Sequence, residues 1–220
     1  APLGDLIAVD RSVCDLADHD GLRLLIRDVK PDVIVNAAAY TAVDKAETEQ
    51  DLAFSINAVA PGILGVEAAE LGALVVHYST DYVFDGESDG FYSEDQAPNP
   101  RGVYGRSKLA GEQSLKASGA RHLIFRTSWV AGQHGANFAK TMLRLATERD
   151  ELKVVVDQTG APTSASLIAD VTALAIRDSV RRGASIPDGV YHLVASGETN
   201  WHAYASHVIE TARRAGKPIR

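Results

Sequence analysis

The chain has 220 residues, 45% apolar and 23% charged, enough for one full α/β domain or a domain and a half of a globular protein. A net charge of −7 with no basic block argues against nucleic acid and against an anionic membrane surface as partners. No apolar run reaches ~18 residues and no charged-then-apolar leader begins the chain, so a cytoplasmic location is the default expectation.

Residues 1–4 read as the tail of a helix with Gly4 as its C-cap. Residues 5–10 are a short apolar run closed by Asp10 and predict a buried strand. Cys14, the single cysteine, excludes an intrachain disulfide and reads as a small buried apolar residue. Asp18 to Asp20 can cap the helix in which Leu22, Leu25, Ile26 and Val29 recur at i, i+3, i+4 and i+7, and Pro31 stops it. Residues 32–36 predict a strand buried on both faces. Ala37, Ala38 and Ala39 follow it; small side chains there either let a ligand approach the backbone or fit a tight turn. Residues 50–71 predict a helix with Leu52, Ile56, Val59, Ile63 and Val66 on one stripe. Its Asn57 either satisfies a buried backbone group or meets a ligand. Gly62, Gly65 and Gly72 follow no strand, which rules them out as a phosphate loop.

Residues 73–79 predict the strand that delivers Thr80. Residues 85–102, rich in Gly, Asp, Asn and Pro, predict a long loop over a site. Residues 103–118 predict the helix that carries Tyr104 and Lys108. At i, i+4 these two share a helix face, about 5–6 Å apart at Cβ. An ammonium beside a phenol lowers a pKa that starts near ~10, and such a tyrosine can pass a proton near neutral pH. Thr80 offers a hydroxyl to the same reacting oxygen, and the three suit a carbonyl/alcohol interconversion. The blander alternative is a core-edge tyrosine and a solvated lysine. Residues 122–128 predict the next strand, with Trp129 at its exit, where it either stacks on a sugar or base or plugs the core. A helix over 137–148, a strand over 153–157, a Gly160/Pro162 loop, a helix over 167–180, a strand over 190–194 and a helix over 201–215 complete the chain.

This β–α alternation predicts an open, mostly parallel sheet with helices on both faces and right-handed crossovers. The carboxyl ends of the strands would line one crevice, where Asp10, Ala39, Thr80 and Trp129 fall. In a dinucleotide-binding domain of this kind, an acid at Asp10 would hold the adenosine ribose hydroxyls; a turn-forming aspartate is the equal alternative. Asp15 would cap a turn or reach toward an adenine, with Leu16 packing beside it. None of the seven histidines makes a metal-like cluster, and His77 and His192 read as packed or hydrogen-bonded strand residues. No G-x-S-x-G elbow is present.

The runs Pro-Asp-Val-Ile-Val-Asn-Ala-Ala-Ala-Tyr-Thr-Ala-Val-Asp-Lys-Ala-Glu from Pro31 and Tyr-Ser-Thr-Asp-Tyr-Val-Phe from Tyr78 resemble the extended short-chain dehydrogenase/reductases. More narrowly, they resemble the dTDP-4-dehydrorhamnose reductase family. Phe-Arg-Thr-Ser-Trp-Val from Phe125, Asn-Phe-Ala-Lys-Thr-Met from Asn137 and Asp-Gln-Thr-Gly-Ala-Pro-Thr from Asp157 support the narrower likeness, which spans essentially the whole chain. It implies a Rossmann-type, doubly wound sheet over residues 1–150. Residues 151–220 would complete the sheet and supply part of a smaller C-terminal sugar-nucleotide lobe. The family pattern places the first strand and the glycine-rich loop ahead of Ala1, so the domain is expected to be incomplete at that end, and it continues past Arg220.

The resemblance makes Thr80, Tyr104 and Lys108 catalytic. It assigns Asp10, Asp15, Leu16, Ala37, Ala38, Ala39, Tyr40, Thr41, Asn57 and Tyr78, with Tyr104 and Lys108, to NADPH or NADH. It assigns Thr80, Asp81, Tyr82 and Trp129 to a nucleotide-sugar substrate, with no metal ligand among them, and it admits a homodimer. The implied reaction reduces the C4 ketone of dTDP-4-dehydro-6-deoxy-L-mannose to dTDP-L-rhamnose. A sister reading is a nucleotide-sugar dehydratase or epimerase; a dehydratase places an Asp-Glu pair after the strand-end threonine, and here the pair is Asp81-Tyr82. A reading from another class is a non-catalytic binding subunit similar to the regulatory subunit of methionine adenosyltransferase.

Overall fold

The computed structural model describes residues 3–180 and 186–219. In chain order the main elements are α1 (His19–Val29), β1 (Val33–Asn36), α2 (Gln50–Leu71), β2 (Leu74–Thr80), α3 (Val103–Ala117), β3 (Arg121–Thr127), α4 (Phe138–Glu148), α5 (Ala165–Val180), β4 (Gly189–His192) and α6 (Trp201–Arg214). The chain divides into two compact units. The first holds residues 1–127 and 172–192, the second 128–171 and 193–220. The division therefore departs from a single boundary at 150: the first unit ends earlier, at Thr127, and is completed by a later segment.

In the first unit, β1, β2, β3 and β4 form one parallel sheet in that order. β2 and β3 are rich in β-branched and aromatic residues and are buried almost throughout, as strands covered on both faces must be. Period-2 alternation sends Val75 of β2 and Ile124 of β3 to one side, where they pack with Ala68 and Leu115 of α2 and α3. Tyr78 of β2 is bonded to Thr172 of α5. Helices thus cover both faces, which is the doubly wound arrangement expected.

Helix α1 starts at Asp18, whose carboxylate accepts the N–H of Gly21 at 3.0 Å, and ends on Lys30 in the left-handed region at φ 49°. It buries Leu22 and Ile26 against α2, with Cys14 and Leu16 half-buried beside them. Glu67 of α2 locks the pair by binding Arg27 at 2.7 and 2.8 Å and Arg23 at 3.2 Å. α2 is interrupted by a wide turn at Ser55–Val59. By length and composition α2 is apolar enough to cross a bilayer, contrary to the reading of the apolar runs, and 61% of its most apolar window is buried inside the protein.

Two predicted strands are absent. Residues 5–10 form no strand: Leu6, Ile7 and Val9 are exposed, and no described strand pairs with them. Ala1 and Pro2, read as part of a preceding helix, lie outside the described residues. Residues 153–157 are likewise irregular, with Val155 and Val156 exposed and the Val155 carbonyl taken by the N–H of His202 at 3.1 Å.

In the second unit, α4 and α6 pack together, each started by an asparagine: Asn137 accepts from Lys140 N at 3.0 Å and Asn200 from Ala203 N at 2.8 Å. Short ladders join Val130–Ala131 to Thr163–Ser164 and Thr159–Gly160 to Thr199–Asn200.

Candidate active site

The first unit gathers Thr80, Asp81, Tyr82, Tyr104, Lys108 and Tyr78 where β2 ends and α3 begins. Thr80, buried, closes β2 and caps the turn Asp81–Val83: its Oγ1 accepts the N–H of Tyr82 at 3.2 Å and donates to Asp81 Oδ1 at 2.9 Å. Tyr104 lies in the first turn of α3, edge-on to Tyr82 with ring centroids 5.4 Å apart. Glu47 accepts the N–H of Val103 at 2.7 Å and so fixes the start of this helix. Gly105 lets it approach: a Cβ there would stand 2.1 Å from the Tyr82 carbonyl oxygen.

Lys108 is 2% exposed. Its Nζ donates to the Tyr78 carbonyl at 2.6 Å and lies 3.3 Å from Nε2 of His77. Burial lowers it to about 8, against the pull of Glu112. Burial pushes Tyr104 up to about 12, with the charges of Asp81 and Tyr82 adding to the rise and the Thr80 hydrogen bond opposing it. The expected lowering of Tyr104 by Lys108 is thus reversed here, because desolvation outweighs it and the lysine head is turned to Tyr78 and His77. Burial also raises Asp81 to about 6, against its hydrogen bonds from Thr80 and the backbone.

The turn after β1 presents Ala37, Ala38 and Thr41 to solvent, with Ala39 and Tyr40 half-buried. Asn57, 1% exposed in the wide turn of α2, holds it: Oδ1 accepts Tyr40 N at 2.8 Å, and Nδ2 donates to Tyr40 O and to Ser107 Oγ, both at 3.0 Å. Of the two roles considered for Asn57, the structure gives it the satisfaction of a backbone group. The Tyr40 phenol donates to Glu49 at 2.6 Å, which pushes it up to about 12. Asp10 is exposed and folds back on Ser12, accepting from N at 2.8 Å and Oγ at 2.6 Å, the turn-forming arrangement. Asp15 accepts from Arg11 Nε at 2.8 Å and Ala17 N at 2.9 Å.

Trp129 belongs to the second unit. Its backbone takes φ 45°, unusual for a bulky residue, and its ring stacks on Trp201 with centroids 3.5 Å apart. Gly160 makes room for it, since a Cβ there would lie 2.5 Å from the indole.

Sequence reasoning missed a buried brace behind the site. Glu112 accepts from Ser79 Oγ at 2.6 Å and from Arg126 at 2.9 and 2.7 Å. The only signal was their recurrence on apolar faces, where a charge must be paired.

The RmlD substrate binding domain family matches residues 2–220. The chain belongs to that family. Within it, the chain is 54% identical over 225 residues to dTDP-4-dehydrorhamnose reductase of Escherichia coli strain K12, covering 100% of this chain and 74% of the relative. Among solved structures of family members, that of dTDP-4-dehydrorhamnose reductase from Bacillus anthracis in complex with NADP is similar at TM-score 0.88 and 36% identity, covering 98% of this chain and 74% of the other. The Clostridium acetobutylicum ortholog gives TM-score 0.87 and 38% identity over 97% of this chain and 72% of its own.

Proposed function

We propose that this chain reduces the C4 ketone of dTDP-4-dehydro-6-deoxy-L-mannose to dTDP-L-rhamnose with NADPH or NADH. The observation that carries the reading is the placing of Tyr104 against Tyr82 at the end of β2, where Thr80 closes the strand, with the buried Lys108 one helical turn along. The 54% identity to a reductase of that name supports the substrate.

The residues fit a nicotinamide dinucleotide. Ala37 and Ala38 leave the backbone open beyond the end of β1, and Asn57 fixes both polar groups of Tyr40 in the same turn. These residues, with Thr41, Tyr78, Tyr104 and Lys108, would hold it, and Asp10, Asp15, Leu16 and Ala39 are assigned to the same cofactor. When bound, the cofactor supplies the hydride to C4. As negative charge grows on the C4 oxygen, Tyr104 gives it the phenolic proton. A phenol held at about 12 stays protonated at neutral pH, as a proton donor must. Thr80 hydrogen-bonds the same oxygen, a contact worth most in the transition state. Thr80 has a single proton, which Asp81 accepts at 2.9 Å in the structure, so that hydroxyl must turn from Asp81 to the C4 oxygen for this contact. Tyr82 and Trp129 are assigned to the nucleotide-sugar. A homodimer with no membrane partner, in the cytoplasm, belongs to the same reading.

The test is ketone reduction followed by loss of reduced cofactor and by product analysis. Tyr104→Phe is expected to lower kcat by about 10²–10⁴-fold while cofactor affinity stays within a few-fold. Near-normal turnover by that variant overturns the assignment.

A further inference from the structure

Tyr104 and Lys108 share their face of α3 with a third residue. Glu112 follows Lys108 by four positions, as Lys108 follows Tyr104, so the three lie one helical turn apart on one side of the helix. Glu112 is 0% exposed. A carboxylate that deep needs partners, and it has them on two neighbouring strands. Oε1 accepts from Ser79 Oγ of β2 at 2.6 Å and from Arg126 Nε of β3 at 2.9 Å, and Oε2 accepts from Arg126 Nη2 at 2.7 Å. Ser79 is the residue before Thr80. Lys108 holds the same stretch of β2 from one turn back, by its bond to the Tyr78 carbonyl at 2.6 Å. The face of α3 that carries Tyr104 is thus stapled to the end of β2 at consecutive residues, Tyr78 and Ser79.

We propose that Glu112 is a positioning residue for the reacting set: its carboxylate keeps Lys108 an ammonium and, through the Ser79 hydroxyl, fixes the strand end that presents Thr80. The proposal rests on the reading of Thr80 and Lys108 as parts of that set. An ammonium shielded from water needs a negative charge near it. Burial draws Lys108 down to about 8, and Glu112 is the charge that opposes this. The other groups facing Lys108 supply no such charge. His77 on β2 is a buried neutral imidazole, held well below its ordinary range by burial and by the charge of Lys108 itself. Tyr78, also on β2, and Tyr104 on α3 are neutral phenols raised by burial. Asp81, just after β2, acts on Tyr104. Arg126 on β3 is a cation, paired with Glu112. Were the Lys108 midpoint lowered by a further unit, about half of the lysine would be neutral at pH ~7 and the site would lose its positive charge.

Two variants separate the charge from the staple. In Glu112→Gln the side-chain amide oxygen can still accept from Ser79, but the charge is gone. The Lys108 midpoint is followed at Cε by NMR in the full chain and assigned by its loss in Lys108→Met. It should fall by about one pH unit in Glu112→Gln, and the basic limb of the kcat/KM profile should move down with it. An unmoved midpoint and profile, with stability alone reduced, is the result a purely structural brace would give and overturns the proposal. If Glu112→Gln fails to fold, Glu112→Gln/Arg126→Met removes both charges of the buried pair, which is tolerated better than the loss of one. The midpoint should fall there too, since Glu112 and not Arg126 acts on Lys108, and an unmoved value overturns the proposal. In Ser79→Ala the charge stays and the staple goes. The Lys108 midpoint should hold while kcat falls by about 10-fold, and an unchanged kcat also overturns the proposal. Absence of ketone reduction by wild type would sink the functional reading and leave the midpoint measurement standing.

Discussion

Burial acts on the ionisable side chains around Thr80 one by one, and each response has a measurable consequence. Asp81 ionises in the unfolded chain near 3.8 and in the folded one near 6. Between those values the native state binds more protons, so stability falls as pH rises through the window. Asp81→Asn, which can still accept from Thr80, should therefore raise the unfolding free energy above pH ~6 by on the order of 1–2 kcal/mol after solvent screening, with the gain vanishing below pH ~4. Denaturant titrations at the two pH values check this; an equal effect at both would mean that the carboxylate charge is not the cause. At this scale the sequence revealed Thr80, Tyr104 and Lys108 because a strand end and an i, i+4 pair are local patterns. It did not reveal what Lys108 touches. The Tyr78 carbonyl and His77 are 30 and 31 positions away, and only the packing of α3 on β2 brings them to it. The direction of the Tyr104 shift was misjudged for the same reason, since spacing shows a neighbour but not the depth of burial.

Among the elements, α3 is the one whose placement decides the site, and it sits unusually close to α2 and to the end of β2. Gly111 permits the first approach: a Cβ there would lie 2.0 Å from the Asn57 carbonyl oxygen. Gly111→Ala should cost about 1–3 kcal/mol by overpacking, although alanine favours helix. Because Asn57 steadies Tyr40, the same variant should weaken cofactor binding; thermal melts and a cofactor titration test both effects. Glu112→Gln leaves the Arg126 guanidinium buried without its counter-charge and should cost about 3–5 kcal/mol, a loss that denaturant unfolding would register. Helix α1 and the strands β2 and β3 were legible because their apolar periods reflect burial that does occur, whereas β1, read as buried on both faces, exposes Val35, and the stripe read along α2 leaves Leu52, Val59 and Val66 exposed. Residues 5–10 and 153–157 have the side chains of strands, but a strand also needs a hydrogen-bonded neighbour. A window of sequence carries no information about whether that neighbour is in place. The wide turn at Ser55–Val59 was invisible to a stripe count, which assumes an unbroken helical period.

At the level of the whole molecule, the chain leaves the first unit at Thr127, returns at Thr172 and leaves again after His192. A fragment ending at residue 150 would lose β4, which pairs with β3 from Leu123↔Gly189 to Arg126↔His192. It would open that edge of a buried parallel sheet. Such a fragment should aggregate or lack a cooperative melt by circular dichroism and size exclusion, whereas a monomeric, cooperatively folded fragment would contradict the interleaved division. The two tryptophans of the chain, Trp129 and Trp201, are stacked together in the second unit. Indole emission therefore observes only that unit, and the unit holding Thr80, Tyr104 and Lys108 is silent in any experiment that uses it. An unfolding curve followed by intrinsic fluorescence would certify the wrong half of the molecule, and a reporter such as Phe125→Trp is needed before the half with the chemistry can be heard.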